Sequence, residues 1–160
     1  MNFSQLTSIE APILAEIARF SLDAPWERPW QAKEFEQLLI NPAHRGWMAA
    51  CQTEPCGYLL AADAGDYVDI LSIAILPIYQ RQRIGQGLLT QLATWSSEKN
   101  IKSISLDVAT VNQGAIAFYK RYGFRTIGER KGYYRSSKGS IDALVMKAGL
   151  QKLQRALFGE

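Results

Sequence analysis

The chain has 160 residues, 48% apolar and 21% charged, with a formal net charge of +3. That length fits one domain around one core. The composition excludes a disordered polymer, and so small a charge excludes a broadly basic nucleic-acid binder.

The first ten residues, MNFSQLTSIE, lack the basic region and apolar run of a secretion signal. Thr7 and Glu10 have capping-box spacing, and Ile13, Ile17 and Phe20 recur behind them with helical period. A first helix is therefore expected over about 8–21. Pro25 and Pro29 punctuate the next segment. A short second helix follows Pro29, with Phe35, Leu38 and Leu39 inward, and Asn41-Pro42 ends it. Strands are expected at 46–51, 57–62 and 67–75, joined by turns at 52–55 and 63–66. They read as an antiparallel meander whose third member is the most apolar and central. Cys51 and Cys56 flank the first turn, too few for a disulfide framework; they read as reduced, as in the cytoplasm. With a lone His44, no metal site is expected.

QRQRIGQG, residues 80–87, leads from the third strand into a helix over 86–98 with Leu88, Leu89, Leu92 and Trp95 on its buried stripe. A strand over 101–108 alternates Ile104, Leu106 and Val108 against Ser103, Ser105 and Asp107. A helix over 113–122 stops at Gly123. Strands at 124–127 and 141–146 follow, with a polar loop around 136–139 between them. In the tail, Leu150, Leu153 and Leu157 have helical spacing. No run reaches membrane-spanning length. The pattern is a mixed α/β domain over 1–147 followed by an amphipathic helical tail over 148–160.

A loop that leaves a strand and enters a helix points free backbone N–H groups outward, where an anion can sit. Gly85 and Gly87 permit close approach, and Arg81 and Arg83 add charge. The competing reading is a plain turn with solvated arginines. Neither the P-loop pattern nor the dinucleotide GxGxxG pattern is present.

SIAILPIYQRQRIGQGLL, residues 72–89, resembles the GNAT family of N-acetyltransferases. Pro77, Gln80, Gly85 and the Leu88-Leu89 pair keep that family's order, which puts Arg83 at the first motif glycine. A register over 82–87 meets the short pattern but displaces the proline and the leucine pair by two. SLDVATVNQGAIAFYKRYGF, residues 105–124, is similar to the family's fifth strand and fourth helix through Asn112, Ala115, Tyr119, Gly123 and Phe124. Arg130, Tyr133-Tyr134, Asp142-Ala143 and Met146, with Pro29-Trp30 and Phe35, resemble the ribosomal-protein-alanine branch. The likeness covers most of residues 5–147.

The resemblance implies a mixed α/β fold with a mostly antiparallel central sheet, helices on both faces and a V-shaped splay between the fourth and fifth strands. It implies acetyl-coenzyme A as donor and direct transfer through a ternary complex. The implied acceptor is the N-terminal α-amine of a protein, a ribosomal protein in that branch. The backbone of Ile73 and Ile75 would hold the acyl-pantetheine arm. Gln80, Arg81, Gln82, Arg83, Ile84, Gly85, Gln86 and Gly87 would hold the pyrophosphate. Asn112 matches a cofactor-contacting asparagine and also reads as a helix N-cap. Tyr119 matches the tyrosine that protonates the thiolate; by position alone it is also an aromatic on a buried stripe. Asp107 stands where the branch carries a glutamate base, and Ala109 where it carries arginine. Trp30, Tyr133, Tyr134 and Asp142 would line the acceptor slot, and each also reads as packing or turn structure. Neither nucleic acid nor membrane is an expected partner, and a monomer or weak dimer is expected. Two other readings stay open: the same chemistry on a small amine or lysine, and a non-catalytic acyl-coenzyme A binding domain.

Overall fold

The computed structural model describes residues 1–21, 28–136 and 138–159; the expected turn at Pro25 lies outside them. In chain order the elements are β1 (Asn2–Gln5), α1 (Ala11–Ser21), α2 (Ala32–Leu39), β2 (His44–Cys51), β3 (Glu54–Asp63), β4 (Tyr67–Ile75), α3 (Ile84–Glu98), β5 (Ser103–Ala109), α4 (Gln113–Arg121), β6 (Arg125–Ser136), β7 (Gly139–Gly149) and α5 (Leu150–Phe158). The seven strands form one sheet in the order β1-β2-β3-β4-β5-β7-β6. Only β4 and β5 run parallel, as the α3 crossover between them requires.

Strand alternation gives the sheet two apolar faces. On one, Leu59, Ile70, Ile104, Leu106 and Met146 pack under α3, α4 and α5. On the other, Met48, Tyr58, Leu60 and Ala74 pack under α1 and α2. The α2 helix buries one residue fully, Phe35, whose ring meets Trp30 and Tyr58 edge-on. Complete burial of such a ring contributes about 2 kcal/mol. In α5, Leu150, Leu153 and Leu157 are buried in the same cluster as Leu88, Leu89 and Leu92 of α3. No helix among the described residues is long and apolar enough to cross a membrane.

Four expectations are corrected. The chain opens with an edge strand, β1, which the polar sequence of Asn2–Gln5 conceals; only Phe3 turns partly inward. The α1 helix begins at Ala11, after a 3₁₀ turn capped by Thr7 and Glu10. Its buried stripe is Ala11, Leu14, Ile17 and Ala18, so Ile13 and Phe20 are exposed. Two alanines let the helix approach the sheet closely, a preference that an apolar count alone does not show. The first hairpin turns at Gln52-Thr53, with Gln52 at φ +58°, and Glu54 and Pro55 already belong to β3. Finally, β6 and β7 are long: β6 runs through Tyr133-Tyr134 to Ser136, and β7 starts at Gly139.

Candidate active site

The site begins where two parallel strands stop pairing. Tyr67–Ile70 of β4 are matched with Ser103–Leu106 of β5, and no further. Beyond that point β4 stays with β3 to Ile75, while β5 stays with β7 to Ala109. The parting has a local cause. Across β3, Ala61 faces Ile70 but Leu60 faces Ser72, so Leu71 is an extra residue on β4. Such a bulge bends its strand. One edge of β4 therefore looks into a slot instead of at a neighbouring strand.

The slot is a cavity of about 140 Å³, lined among others by Ile73, Leu106, Asp107, Asn112, Tyr119 and Tyr134. It passes through the sheet. Leu106 and Val108 point to the α3 side, where Tyr119 is buried with them. Asp107, between them on β5, points to the opposite side. Its Oδ1 accepts a 3.0 Å hydrogen bond from Nε of Arg130. Tyr119 sits 5% exposed between the rings of Phe118 and Phe124. Burial pushes its phenol well above the ordinary value, so it keeps its proton. Asn112 caps α4, its Oδ1 accepting from the Ala115 N–H at 3.2 Å, while its side also lines the slot.

At one end of the slot lies the loop 76–83. A 3₁₀ turn at Pro77–Tyr79 brings Gln80 back, so that its Nε2 donates to the Ile75 carbonyl at 3.4 Å; Gln82 does the same to Ile78. Arg81 and Arg83 both have φ +63°. This left-handed backbone favours glycine, which explains why position 83 suits one, and an arginine there carries strain of about 1 kcal/mol. Arg83 is the N-cap of α3 and no side chain caps the helix. The first-turn N–H groups of Ile84, Gly85 and Gln86 have no carbonyl one turn behind them. No acidic residue stands in that turn. A bare positive helix end beside two arginines is chemically suited to a pyrophosphate. The glycines have a second purpose. A Cβ on Gly87 would overlap the Phe3 ring of β1, and one on Gly85 would come 2.9 Å from Phe118.

At the other end the polar face of β5, β6 and β7 is open. Asp69 on β4 lies opposite Ser105 on β5, and Ser105 Oγ donates to Asp69 Oδ1 at 3.0 Å. Burial raises the Asp69 pKa, and the nearby Asp107 charge adds to it. In β6, Lys131, Gly132 and Tyr133 bulge out between the pairs Arg130–Ala143 and Tyr134–Ile141. Asp142 braces that bulge: its Oδ1 accepts from the Gly132 N–H at 2.7 Å, which with Lys131 holds its pKa below the ordinary value. The rings of Tyr133 and Tyr134 stand perpendicular, Tyr134 lining the slot and Tyr133 half exposed at its rim. Burial and then the Asp107 charge raise the Tyr133 phenol pKa.

Of the residues singled out from sequence, Ile73, Asp107, Asn112, Tyr119 and Tyr134 meet around one cavity. Ile75 and residues 80–87 are not in its lining; they continue from β4 past the slot. Tyr133 and Asp142 do not line it either: Tyr133 lies near Asp107, and Asp142 braces the β6 bulge. Trp30 stands apart, packed edge-on against Phe35. Sequence reasoning passed over Asp69 and Ser105. Counting back two residues from Asp107 reaches Ser105 on the same face, but Asp69 needs the β4–β5 register. Among the described residues, no group of three His, Cys, Asp or Glu side chains is placed to hold a metal. Both cysteines are free, and burial pushes the Cys56 thiol up to about 11.

Residues 11–124 match the Acetyltransferase (GNAT) family. The chain is 28% identical over 147 residues to the ribosomal protein bS18-alanine N-acetyltransferase of Escherichia coli K12, covering 91% of this chain and 95% of that protein. It is 30% identical over 124 residues to the N-alpha-acetyltransferase RimI of Mycobacterium tuberculosis, covering 74% and 75%. Its fold resembles the crystal structure of the ribosomal-protein-S18-alanine N-acetyltransferase from Escherichia coli, with TM-score 0.84 at 24% identity over 93% of each chain.

Proposed function

We propose that this chain, which belongs to the acetyltransferase (GNAT) family, acetylates the N-terminal α-amine of a protein, with acetyl-coenzyme A as donor. The observation that carries this reading is the placement of Asp107 and Tyr119 on opposite sides of one slot through the sheet. An acyl transfer to an amine needs a base on the nucleophile's side and an acid on the leaving group's side. The relatives named above add the class of acceptor, a ribosomal protein N-terminus beginning with alanine.

The donor, when bound, supplies an acetyl thioester. The residues present fit it: the uncapped α3 N-terminus with Arg81 and Arg83 suits its phosphates, and the unpaired edge of β4 at Ile73 and Ile75 suits its amide arm. Asp107 takes a proton from the acceptor ammonium on the open face. The freed nitrogen lone pair would attack the acetyl carbon, the carbon–sulfur bond would break, and the surplus proton left on the new amide nitrogen would pass to solvent. Unpaired backbone N–H groups along the slot edge of β4 would stabilise the charge that develops on the carbonyl oxygen. Tyr119 Oη gives its proton to the departing sulfur. Its buried phenol is a proton carrier throughout the neutral range. Tyr134 and Tyr133 wall the acceptor's first residue, and Asp142 keeps the β6 bulge in shape. The acceptor places the reaction in the cytoplasm, and the enzyme works as a monomer or weak dimer.

The test is an acceptor panel. The protein is incubated with acetyl-coenzyme A and peptides bearing free N-terminal alanine or serine, blocked peptides with internal lysine, and polyamines. Mass spectrometry locates the added acetyl group. Acetylation of the α-amine peptides is expected; exclusive acetylation of lysine or polyamine would replace this reading with a small-amine or lysine enzyme.

A further inference from the structure

The Asp107 carboxylate is short and stands at the mouth of a slot, on a strand that loses its β4 neighbour one residue earlier. Something must hold it. On its own face the groups around it come from four strands. Asp69 approaches from β4, Ser105 precedes it by two on β5, Arg130 and Tyr133 reach it from β6, and Lys147 lies across from Ser105 on β7. Through the slot Tyr119 closes the opposite side. Lys147 is turned away, its Nζ over the Tyr67 ring at 5.9 Å. The remaining cation is Arg130, and its route to Asp107 is unusual because β7 lies between their strands.

Register explains the reach. Ala109 of β5, Ala143 of β7 and Arg130 of β6 stand in one row across the sheet. Directly paired residues share a face. Two methyl groups leave the row low enough for the Arg130 side chain to cross β7 and donate Nε–H to Asp107 at 3.0 Å. Its guanidinium carbon also lies 5.8 Å from the Tyr133 ring centre. Arg130 thus touches both the carboxylate and the rim of the acceptor side, and begins the bulge braced by Asp142.

We propose that Arg130 is the positioning residue of this site: it fixes the Asp107 carboxylate at the mouth of the slot, leaves Oδ2 for the acceptor ammonium, and couples that carboxylate to the tyrosine rim. The inference rests on Asp107 as the base. Because Arg130 is half exposed, solvent screens the pair, and its part is to hold the carboxylate in place.

The experiment compares the full chain with Arg130→Gln, Arg130→Lys and Asp107→Asn. Two readouts are taken: kcat and KM on an alanine-ended peptide across the pH range, and coenzyme A affinity by calorimetry. In Arg130→Gln turnover should fall by roughly 3- to 10-fold, on the scale of a misplaced base, while coenzyme A affinity stays within about 2-fold. Arg130→Lys should recover most of that turnover. In an Asp107→Asn chain, Arg130→Gln should cost nothing further, because the group it holds is gone. If Arg130→Gln leaves turnover unchanged, or lowers it equally with and without Asp107, Arg130 does not act through Asp107 and this inference alone fails. If Asp107→Asn keeps the turnover and the ascending limb, Asp107 is not the base, and the catalytic reading fails with it.

Discussion

The two ends of the slot are built from different materials. The loop end, residues 76–87, is made of backbone: a 3₁₀ turn, two left-handed residues and the open first turn of α3. The other end is made of side chains on strands: Asp69, Ser105, Asp107, Arg130 and Tyr133, brought together by pairing across β4, β5, β7 and β6. A backbone site is local in the chain and tolerates many side chains. A side-chain site depends on register over tens of residues and tolerates few. The difference predicts where substitutions hurt.

Tyr119 lies between the two ends and should show the largest effect. Tyr119→Phe removes one oxygen without opening a cavity. Turnover should fall by about 100-fold while coenzyme A affinity stays within about 2-fold, since proton transfer is lost and packing is kept. Equal losses in turnover and affinity, by steady-state kinetics and calorimetry, would assign Tyr119 to binding.

Next comes the packing under the loop. Gly87→Val drives a side chain into the Phe3 ring and should lower stability by about 2 kcal/mol in denaturant unfolding. Phe3→Ala in the same chain should recover part of that loss. No coupling between the two would mean that β1 moves aside freely.

At the rim, Asp142→Asn keeps the shape of the brace but drops its charge. KM for the peptide should rise about 3-fold, on the scale of one weakened hydrogen bond, with little change in turnover. The wild-type brace should also fail in acid. Its folded pKa lies below the ordinary 3.8, so its contribution is complete above that value and disappears as pH falls through the folded one. Peptide binding measured down the acid range should weaken in wild type and stay flat in Asp142→Asn.

Smallest is Arg83→Gly. Relief of the left-handed strain is partly offset by the freer unfolded chain, leaving a gain of roughly 0.5 kcal/mol. Coenzyme A affinity should change by less than about 3-fold if backbone holds the phosphates, one screened surface charge being worth little. A tenfold loss would show that the guanidinium is a clamp, and would weaken the contrast between the two ends.

The same contrast explains what could be read from the chain. The QRQRIGQG loop was legible because a short pattern carries its whole geometry. The central strands and α3 were legible because their apolar periods are strong. β1 was not, since an edge strand of polar residues buries too little to leave a pattern. The far half of β6 was not, since Arg130, Lys131 and Arg135 read as loop when only pairing to β7 makes them strand. On α1 the alanines of the buried stripe were outweighed by larger residues facing water. Asp107 was visible as a carboxylate in an apolar strand, but its Arg130 partner depends on a bulge and a row of alanines in two other strands.

Leu71 carries a consequence of another kind. Before it, Val68 and Ile70 point toward α3; after it, Ile73 and Ile75 do so again, which plain alternation from Ile70 would forbid. One surplus residue resets the parity of the strand while steering it off its neighbour. The opening in the sheet is thus a matter of counting rather than of chemistry. Exchanging Leu71 for another apolar residue leaves the count intact. Deleting it would leave residues 72–75 on the faces they now hold, Ser72 still opposite Leu60, but would remove the bend and invite β4 to zip onto β5. The gate therefore tolerates other apolar letters at position 71, but not a change in its length.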